Sequence, residues 1–586
     1  MAGPVVFTNT ARCRDCYRCV RVCPVKAIRM HQGQAFVMEE QCIACGTCIR
    51  NCPQGAKSYR NDVDRASRLL AESAVVAASI APSFVGVFGA WQRKRLASAL
   101  RKLGFAHVSE TAIGAAHVAQ KTAQIVSANP ASPHVCSSCP AVVSYVERYE
   151  PAVIDALLNV TSPMVAHARH IKRKLGSDAR VIFVGPCVAK KVEAQRPENA
   201  DAVDCVLTFE ELSEWLAREH VNLAACEESH FDEQPTGDSR YFPLGGGCAR
   251  TAALSTDLLA PGMIAVSGFD DVREALLDLR DHRPAVILEP LMCPQGCING
   301  PAIPDDAANL YERRKAVLSY GAEEPTLPLA QWDDALLEAQ FATVPQTIQE
   351  VPEDQICAVL EKTGKSRPED QLNCGACGYP SCRDKAVAVV RGMAEIEMCI
   401  PYMRRLAERR TDRIIETSPN GIVILDEGLN ILSTNQAFGR YFQCTAAVIG
   451  KKIAYLMDPE PFERLAAGGT DVVEIVARHD KYNLVCHQIL YPLRDEKQYV
   501  GIFVNITTNQ TSQQKLDALR AQTILQAKEL LEHQVGMAQK LAVFLGESTA
   551  RGEQLVENLM HLADDENQRA DTRAGKSWIW RTNTSK

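Results

Sequence analysis

Positive charge is not in excess in this chain of 586 residues: 64 Lys and Arg stand against 71 Asp and Glu, a net charge of −7. That balance leaves no electrostatic footprint for nucleic acid, and no nucleic-acid partner is expected. A long uninterrupted apolar run is also missing. The most apolar stretch, AVVAASIAPSFVGVFGAW from Ala74 to Trp91, is broken by Pro82 and two glycines. It reads as a buried strand with a flanking helix, not a membrane span. Nor is there a basic segment followed by an apolar core at the start, where MAGPVVFTNTARCRDC runs straight into cysteines. No secretory signal is expected, and the expected location is cytoplasmic. Hydrophobic content of 46% and charged content of 23% are ordinary for globular domains. The length suits about three to five of them, at ~100–200 residues each.

What is there in quantity is cysteine, with 23 in the chain. In a reducing compartment clustered cysteines point to metal rather than to disulfides. CRDCYRCVRVCP carries Cys13, Cys16, Cys19 and Cys23, and CIACGTCIRNCP carries Cys42, Cys45, Cys48 and Cys52. Both fit C-x2-C-x2-C-x3-C-P, and together they form an internal repeat over residues 1–62. This is the two-cluster ferredoxin pattern, in which three thiolates of one run hold a 4Fe–4S cube and the fourth reaches across to the other. Zinc is the weaker alternative, since it expects ligand pairs with longer gaps.

From residue 63 to 345 apolar strand-like runs (VVAASIAPS, ARVIFVG, RPAVILEP) alternate with helix-like ones, which argues an α/β domain. Its assignable cysteines lie far apart: Cys139, Cys187, then Cys293 and Cys297. The last two loops follow predicted strands, where α/β folds place their sites, so four cysteines on three loops are candidates for one cube. A connector rich in Pro, Glu and Gln runs from Pro328 to Ile356. Residues 350–405 then hold Cys374, Cys377, Cys382 and Cys399 as C-x2-C-x4-C-x16-C, with a helix in the long spacer. A third accessory 4Fe–4S cluster is expected there, with zinc again the alternative. Seven further cysteines (Cys136, Cys205, Cys226, Cys248, Cys357, Cys444 and Cys486) have no spacing partner and read as small buried hydrophobes.

Residues 410–508 carry no clustered cysteine. They read as an α+β module: a helix, two strands around Asp-Glu-Gly, a helix, then two strands around a charged turn. From 509 to 562 the pattern is helical, with Ile524, Ala527, Leu531, Val535, Ala538, Ala542 and Leu545 at steps of three and four. Such a seam suits a homodimer or a partner helix, with packing onto the parent domain as the alternative. A polar tail occupies 563–586.

The three scattered loops resemble the hydrogen-activating domain of [FeFe]-hydrogenases. Here they read Cys-Ser-Ser-Cys-Pro, then Gly-Pro-Cys-x-x-Lys-x-x-Glu, then Glu289-Pro-Leu-Met-Cys293-Pro-Gln-Gly-Cys297. The resemblance implies an H-cluster: a cube on Cys139, Cys187, Cys293 and Cys297, the last bridging to a two-iron subcluster with carbon monoxide, cyanide and a dithiolate bridge. It implies that Lys190 donates to a cyanide, that Glu193 and Glu289 hold the loops, and that Ser162 in Ser-Pro-Met lies beside the diiron unit. Together with the ferredoxin-like N-terminus and the third cluster, a PAS-like module at 410–508 resembles the sensory branch of that family.

The departures from the family pattern are informative. Ser138 stands where catalytic members carry a proton-passing cysteine. A thiol titrates near ~8.5 while an alkoxide is inaccessible at neutral pH, so serine is a poor relay. From Thr111 to Arg148 the only acidic residue is Glu147, which lies beyond the cysteine loop, so the family's glutamate relay is largely missing. Gly185 and Leu291 replace two methionines that flank the diiron unit. Gly185 is expected to leave more room, and Met292 stands one residue after Leu291.

Three functional readings follow. The favoured one is a sensor of low turnover that reacts with hydrogen at the diiron site and shares the charge among three accessory clusters. It passes the change through the PAS-like module to a signalling kinase or phosphatase in trans, since the chain shows no kinase, phosphatase or DNA-binding motif. The second is a catalytic hydrogenase exchanging electrons with a ferredoxin-type partner. The third is an iron–sulfur carrier or assembly protein without the diiron unit.

Overall fold

The computed structural model describes residues 3–254, 262–323, 329, 331–344, 346, 350–468, 471–494, 496–507 and 523. The helix read at 509–562, apart from Thr523, and the tail at 563–586 lie outside them. The chain divides into two units, residues 1–398 and the part from Cys399 onward.

In the first unit, both cysteine repeats sit between two short antiparallel ribbons. Val6–Thr8 pairs with Lys57–Tyr59, and Ile28–His31 pairs with Gln34–Val37. Each repeat forms one short helix, Arg18–Val22 and Thr47–Arg50. The residues that open them, Tyr17 and Gly46, are left-handed, which curls the loop before each helix.

The α/β region builds two parallel sheets. One runs in the order His107–Glu110, Val76–Ile80, Arg180–Gly185, Cys205–Thr208, the other Met263–Ser267, Ile287–Leu291, His134–Val135. Val76–Ile80 is buried at every position, as a strand covered on both faces must be. The Ala74–Trp91 run thus folds as a strand, a 3-10 turn (Pro82–Gly86) and the start of a helix (Ala90–Leu103). Among the described residues no helix is long and apolar enough to cross a membrane.

The cysteine loops follow strand ends. Cys139 comes after His134–Val135, Cys187 after Arg180–Gly185 and Cys293 after Ile287–Leu291. Part of the expected connector is no spacer. Trp332 stacks on His117 at 3.8 Å, Glu338 pairs with Val160, and the Val344 N–H donates to the Glu147 carbonyl. Two apolar anchors, Trp332 and the buried Leu337, hold this polar segment as a strap across the domain. The third cysteine module begins with the helix Glu353–Lys362, and Cys382–Val390 forms the spacer helix, ending just before Gly392.

The second unit opens with the helix Ile400–Thr417 and contains a five-stranded antiparallel sheet. Its order is Ile431–Thr434, Gly421–Leu425, Gln498–Asn505, Leu484–Leu493, Val473–His479. The last strand was not anticipated; it pairs antiparallel with Leu484–Leu493 along its whole length. Phe438, Phe442, Phe462 and Phe503, all buried, fill the core on one face of the sheet.

Candidate metal centre

The two-cluster pattern expects the fourth cysteine of each run beside the first three of the other, and the fold brings them into that proximity. Burial raises the pKa of Cys19, and the thiols acting on it are Cys13, Cys16 and Cys52. Burial likewise pushes Cys23 up to about 12, and its thiol neighbours are Cys45 and Cys42; Cys48 has Cys45, Cys23 and Cys42. The fourth cysteine of each run has thus crossed to the other. Matching turns hold the crossing thiols, with Ala27 N–H donating to Cys23 Sγ at 3.3 Å and Ala56 N–H to Cys52 Sγ at 3.2 Å.

The three scattered loops converge too. Cys139, Cys187, Cys293 and Cys297 line one cavity of about 100 Å³, joined on its wall by Cys45 of the ferredoxin-like module. Burial drives Cys187 up to about 12 and Cys293 and Cys297 well above the usual thiol range, with mutual thiol repulsion adding to each. Only a strong cation would draw thiolates out of such a site.

The rest of the wall is mainly apolar: Pro82, Pro163, Met164, Phe183, Phe242 and Leu291 among others. Four polar side chains reach it, those of Ser83, Thr111, Ser138 and Lys190. Ser83 Oγ is buried without a partner. Lys190, almost fully buried, donates to Glu193 Oε2 at 2.7 Å and approaches the Ser138 carbonyl at 3.5 Å. A dry cavity with four thiols, one ammonium and an orphaned hydroxyl fits an anionic iron cofactor, and these residues would hold the H-cluster that the loops imply.

The helix Ala189–Glu193 carrying Lys190 is itself anchored from behind. Lys191, fully buried, donates at 2.8 Å to Asp62, to Glu211 and to the Val206 carbonyl. Glu289 is 2% exposed and accepts from the Cys248 and Ala249 N–H groups at 3.2 and 3.0 Å, tying Gly247–Thr251 to the strand before Cys293. Burial outweighs those bonds and lifts its carboxyl to about 7.

Several placements differ from expectation. Gly185 does not leave open room: a Cβ there would stand 2.7 Å from the Phe183 ring, which occupies the space and lines the cavity. Leu291 and Met292 both reach the wall, so Met292 covers part of what Leu291 lacks. Ser162 does not line this cavity. It faces a separate polar pocket of about 310 Å³ with Glu193, Arg169 and Arg196, and its Oγ is buried without a partner. Glu193 reaches the site only through Lys190. Sequence reasoning passed over Thr111, Ser83, Phe183 and Lys191, none of which carries a local signal of its place. Of the seven unassigned cysteines, Cys136, Cys205, Cys226, Cys248 and Cys486 are buried as expected, but Cys444 is half-buried and Cys357 is exposed.

The third module docks beside the ferredoxin-like one. Arg21 bridges the carbonyls of Cys16 and Ala376, Met30 N–H donates to the Met393 carbonyl, and Glu395 accepts from the Gln32 and Gly33 N–H groups. Cys377 and Cys23 act together on Lys26 and on Tyr379, after burial in each case. Lys365 donates to Cys382 Sγ at 3.1 Å. Cys374, Cys377 and Cys382 belong to the first unit, and Cys399 caps the helix that opens the second.

Comparison with known proteins agrees with this layout. Residues 74–301 match the family described as iron only hydrogenase large subunit, C-terminal domain. Residues 5–53 match a 4Fe-4S dicluster domain, 370–401 an Fe-S cluster family and 409–476 a PAS domain. The NADP-reducing hydrogenase subunit HndD of Solidesulfovibrio fructosivorans is 26% identical over 378 residues, a match that takes in 54% of this chain and spans 60% of that protein's length. The cytosolic Fe-S cluster assembly factor narfl of Danio rerio is 24% identical over 328 residues, 44% of this chain and 79% of it. Among solved structures, an [FeFe]-hydrogenase variant from Chlamydomonas reinhardtii aligns over 48% of this chain and 99% of its own, with a TM-score of 0.38 and 18% identity. The chain therefore carries, over residues 74–301, the C-terminal domain of an iron-only hydrogenase large subunit, together with 4Fe–4S and PAS domains.

Proposed function

We propose that this protein is a hydrogen sensor of low turnover: it binds an H-cluster in the thiol cavity, oxidises hydrogen there slowly, and stores the electrons in three accessory 4Fe–4S clusters. When bound, the H-cluster supplies the metal chemistry that splits hydrogen into two protons and two electrons. The chain's own residues do the rest. Cys139, Cys187, Cys293 and Cys297 hold the iron, and Lys190, fixed by Glu193, neutralises anionic ligands. The apolar wall, Phe183 included, excludes water.

The observation that carries the reading is the cavity's polar inventory. Beside five thiols, all of them assigned to clusters, its lining offers one ammonium and three hydroxyls, with no carboxylate or imidazole to take a proton. Fast hydrogen turnover needs such a group, worth ~10²–10⁴-fold, and a detector does not. A second observation supports an electron route out of the cavity. The Cys23–Cys42–Cys45–Cys48 cage meets the cavity through Cys45 and neighbours Cys377, while Arg21 ties Cys16 of the other cage to Ala376 of the third module. On this reading the electrons collect in the third module, and a ferredoxin-type partner would draw on the same clusters. The PAS domain would then act on a signalling kinase or phosphatase in trans.

The likeness to the assembly factor of Danio rerio supports a different reading, an iron–sulfur carrier without the diiron unit. An infrared spectrum of anaerobically matured protein separates the two. Under the sensor reading, metal-bound carbon monoxide and cyanide bands appear and shift when argon is replaced by hydrogen. A blank spectrum in protein whose 4Fe–4S cages are filled would leave the carrier.

A further inference from the structure

The cavity lacks a proton acceptor, yet a line of buried polar groups begins at its wall. Thr111 lines the cavity, and its Oγ1 lies 2.8 Å from Ser79 Oγ. Ser79 Oγ in turn lies 2.8 Å from His167 Nδ1, and the other ring nitrogen, Nε2, is 3.3 Å from Ser109 Oγ. Ser79, Ser109 and His167 are fully buried. Both nitrogens of one imidazole are therefore engaged by hydroxyls that can donate or accept.

The line has an outer half. Along the strand His107–Glu110 successive side chains alternate faces, so His107 and Ser109 share a face and Thr111 continues it. Ser79 is the register partner of Ser109 on the neighbouring strand. Across them lies the helix Pro163–Leu175, whose spacing of three and four puts His167, His170 and Lys174 on one side. The rings of His167 and His170 are nearly parallel, with centroids 6.4 Å apart, a step that a single water would have to bridge. Glu233 then gathers the outer groups, with His107 and His170 each at 3.2 Å and the half-exposed Lys174 at 2.9 Å.

We propose that protons leave the cavity along Thr111, Ser79, His167 and Ser109 to the His107–His170–Glu233 cluster and out past Lys174. This rests on the hydrogen-oxidising reading above. Each hydrogen molecule yields two protons, which pass singly, and two electrons, which go to the 4Fe–4S clusters. Each relay group accepts one proton, gives up another and ends unchanged. Burial, with the neighbouring imidazoles adding, holds His167 down to about 3 even though Glu233 opposes it. The ring is thus neutral at physiological pH and must exchange its tautomer between passages, which makes the exit slow.

The test follows the infrared bands in time after matured full-length protein is mixed with hydrogen. Ser79→Ala and Ser109→Ala are expected to keep the parent's band positions under argon. Their response to hydrogen should slow by about tenfold or more. The Ser79→Ala/Ser109→Ala double variant should be no slower than the slower single one, because the groups act in series; a merely structural role would add. Exchange of the His167 C2–H, read by mass spectrometry without hydrogen, should change its pH profile in both serine variants. Variants that respond as fast as the parent would overturn the line and leave the hydrogen reading standing. Slowing by Glu193→Gln alone would overturn it in favour of an exit through Lys190 and the polar pocket. A parent protein with no bands at all would overturn the line together with the reading on which it rests.

Discussion

At the scale of single residues, Ser138 would set the rate on the proposed reading, and Lys191 holds the architecture. Ser138 is on the cavity wall beside Cys139, where a side chain can reach bound ligand atoms. Ser138→Cys places an ionisable thiol there and is expected to raise dye-coupled hydrogen uptake by about 10²-fold or more. No increase, in protein with an unchanged infrared spectrum, would mean that proton transfer is not the slow step. Lys191 has no solvent contact, and its ammonium meets two carboxylates and a carbonyl. Removing one member of a buried ion cluster leaves the others uncompensated, so Lys191→Ala should cost about 3–5 kcal/mol, measured by denaturant unfolding of the full chain. These two residues also mark what was legible. Ser138 stood out because its neighbours in the loop announce iron ligation. Lys191 did not, since nothing local distinguishes a buried lysine from a surface one until Asp62 and Glu211 are brought to it.

At the scale of elements, the legible features were those written in short range. The two C-x2-C-x2-C-x3-C-P runs, the strand-then-cysteine loops and the helix between Cys382 and Cys399 follow from spacing and periodicity. Contacts between distant elements were not written locally. The strap at 331–344 looked like a linker because only Trp332 and Leu337 anchor it, and Phe183 was hidden because its entry depends on the glycine at 185. The docking of the modules rests on two left-handed glycines. A Cβ on Gly46 would fall 2.3 Å from Pro301, and one on Gly378 would fall 2.8 Å from Val20. Both positions combine a clash with a left-handed φ, so alanine is strained twice. Gly378→Ala should leave all clusters loaded, as judged by iron content. It should slow electron arrival at the Cys374 cluster, read by freeze-quench paramagnetic resonance after hydrogen is added. Unaltered kinetics would mean that this contact does not carry the transfer.

At the scale of the whole molecule, the four cysteine cages differ in what surrounds them. One set of thiols adjoins an apolar cavity with a lysine, the two ferredoxin-like sets lie together in the N-terminal module, and Cys374, Cys377 and Cys382 lie in the third module beside it. An enzyme built for flux would need fast exits for both protons and electrons. On the proposed reading the cages would give electrons a way out, while the cavity wall presents hydroxyls in place of acids. The account therefore predicts that hydrogen charges the clusters without sustained turnover. Paramagnetic resonance of the matured protein under hydrogen, with no mediator present, tests this most directly. Signals of reduced 4Fe–4S clusters should appear and persist, and Cys374→Ser should remove one set while the others remain. Clusters that stay oxidised under hydrogen, in protein whose infrared bands show the cofactor in place, would contradict the account.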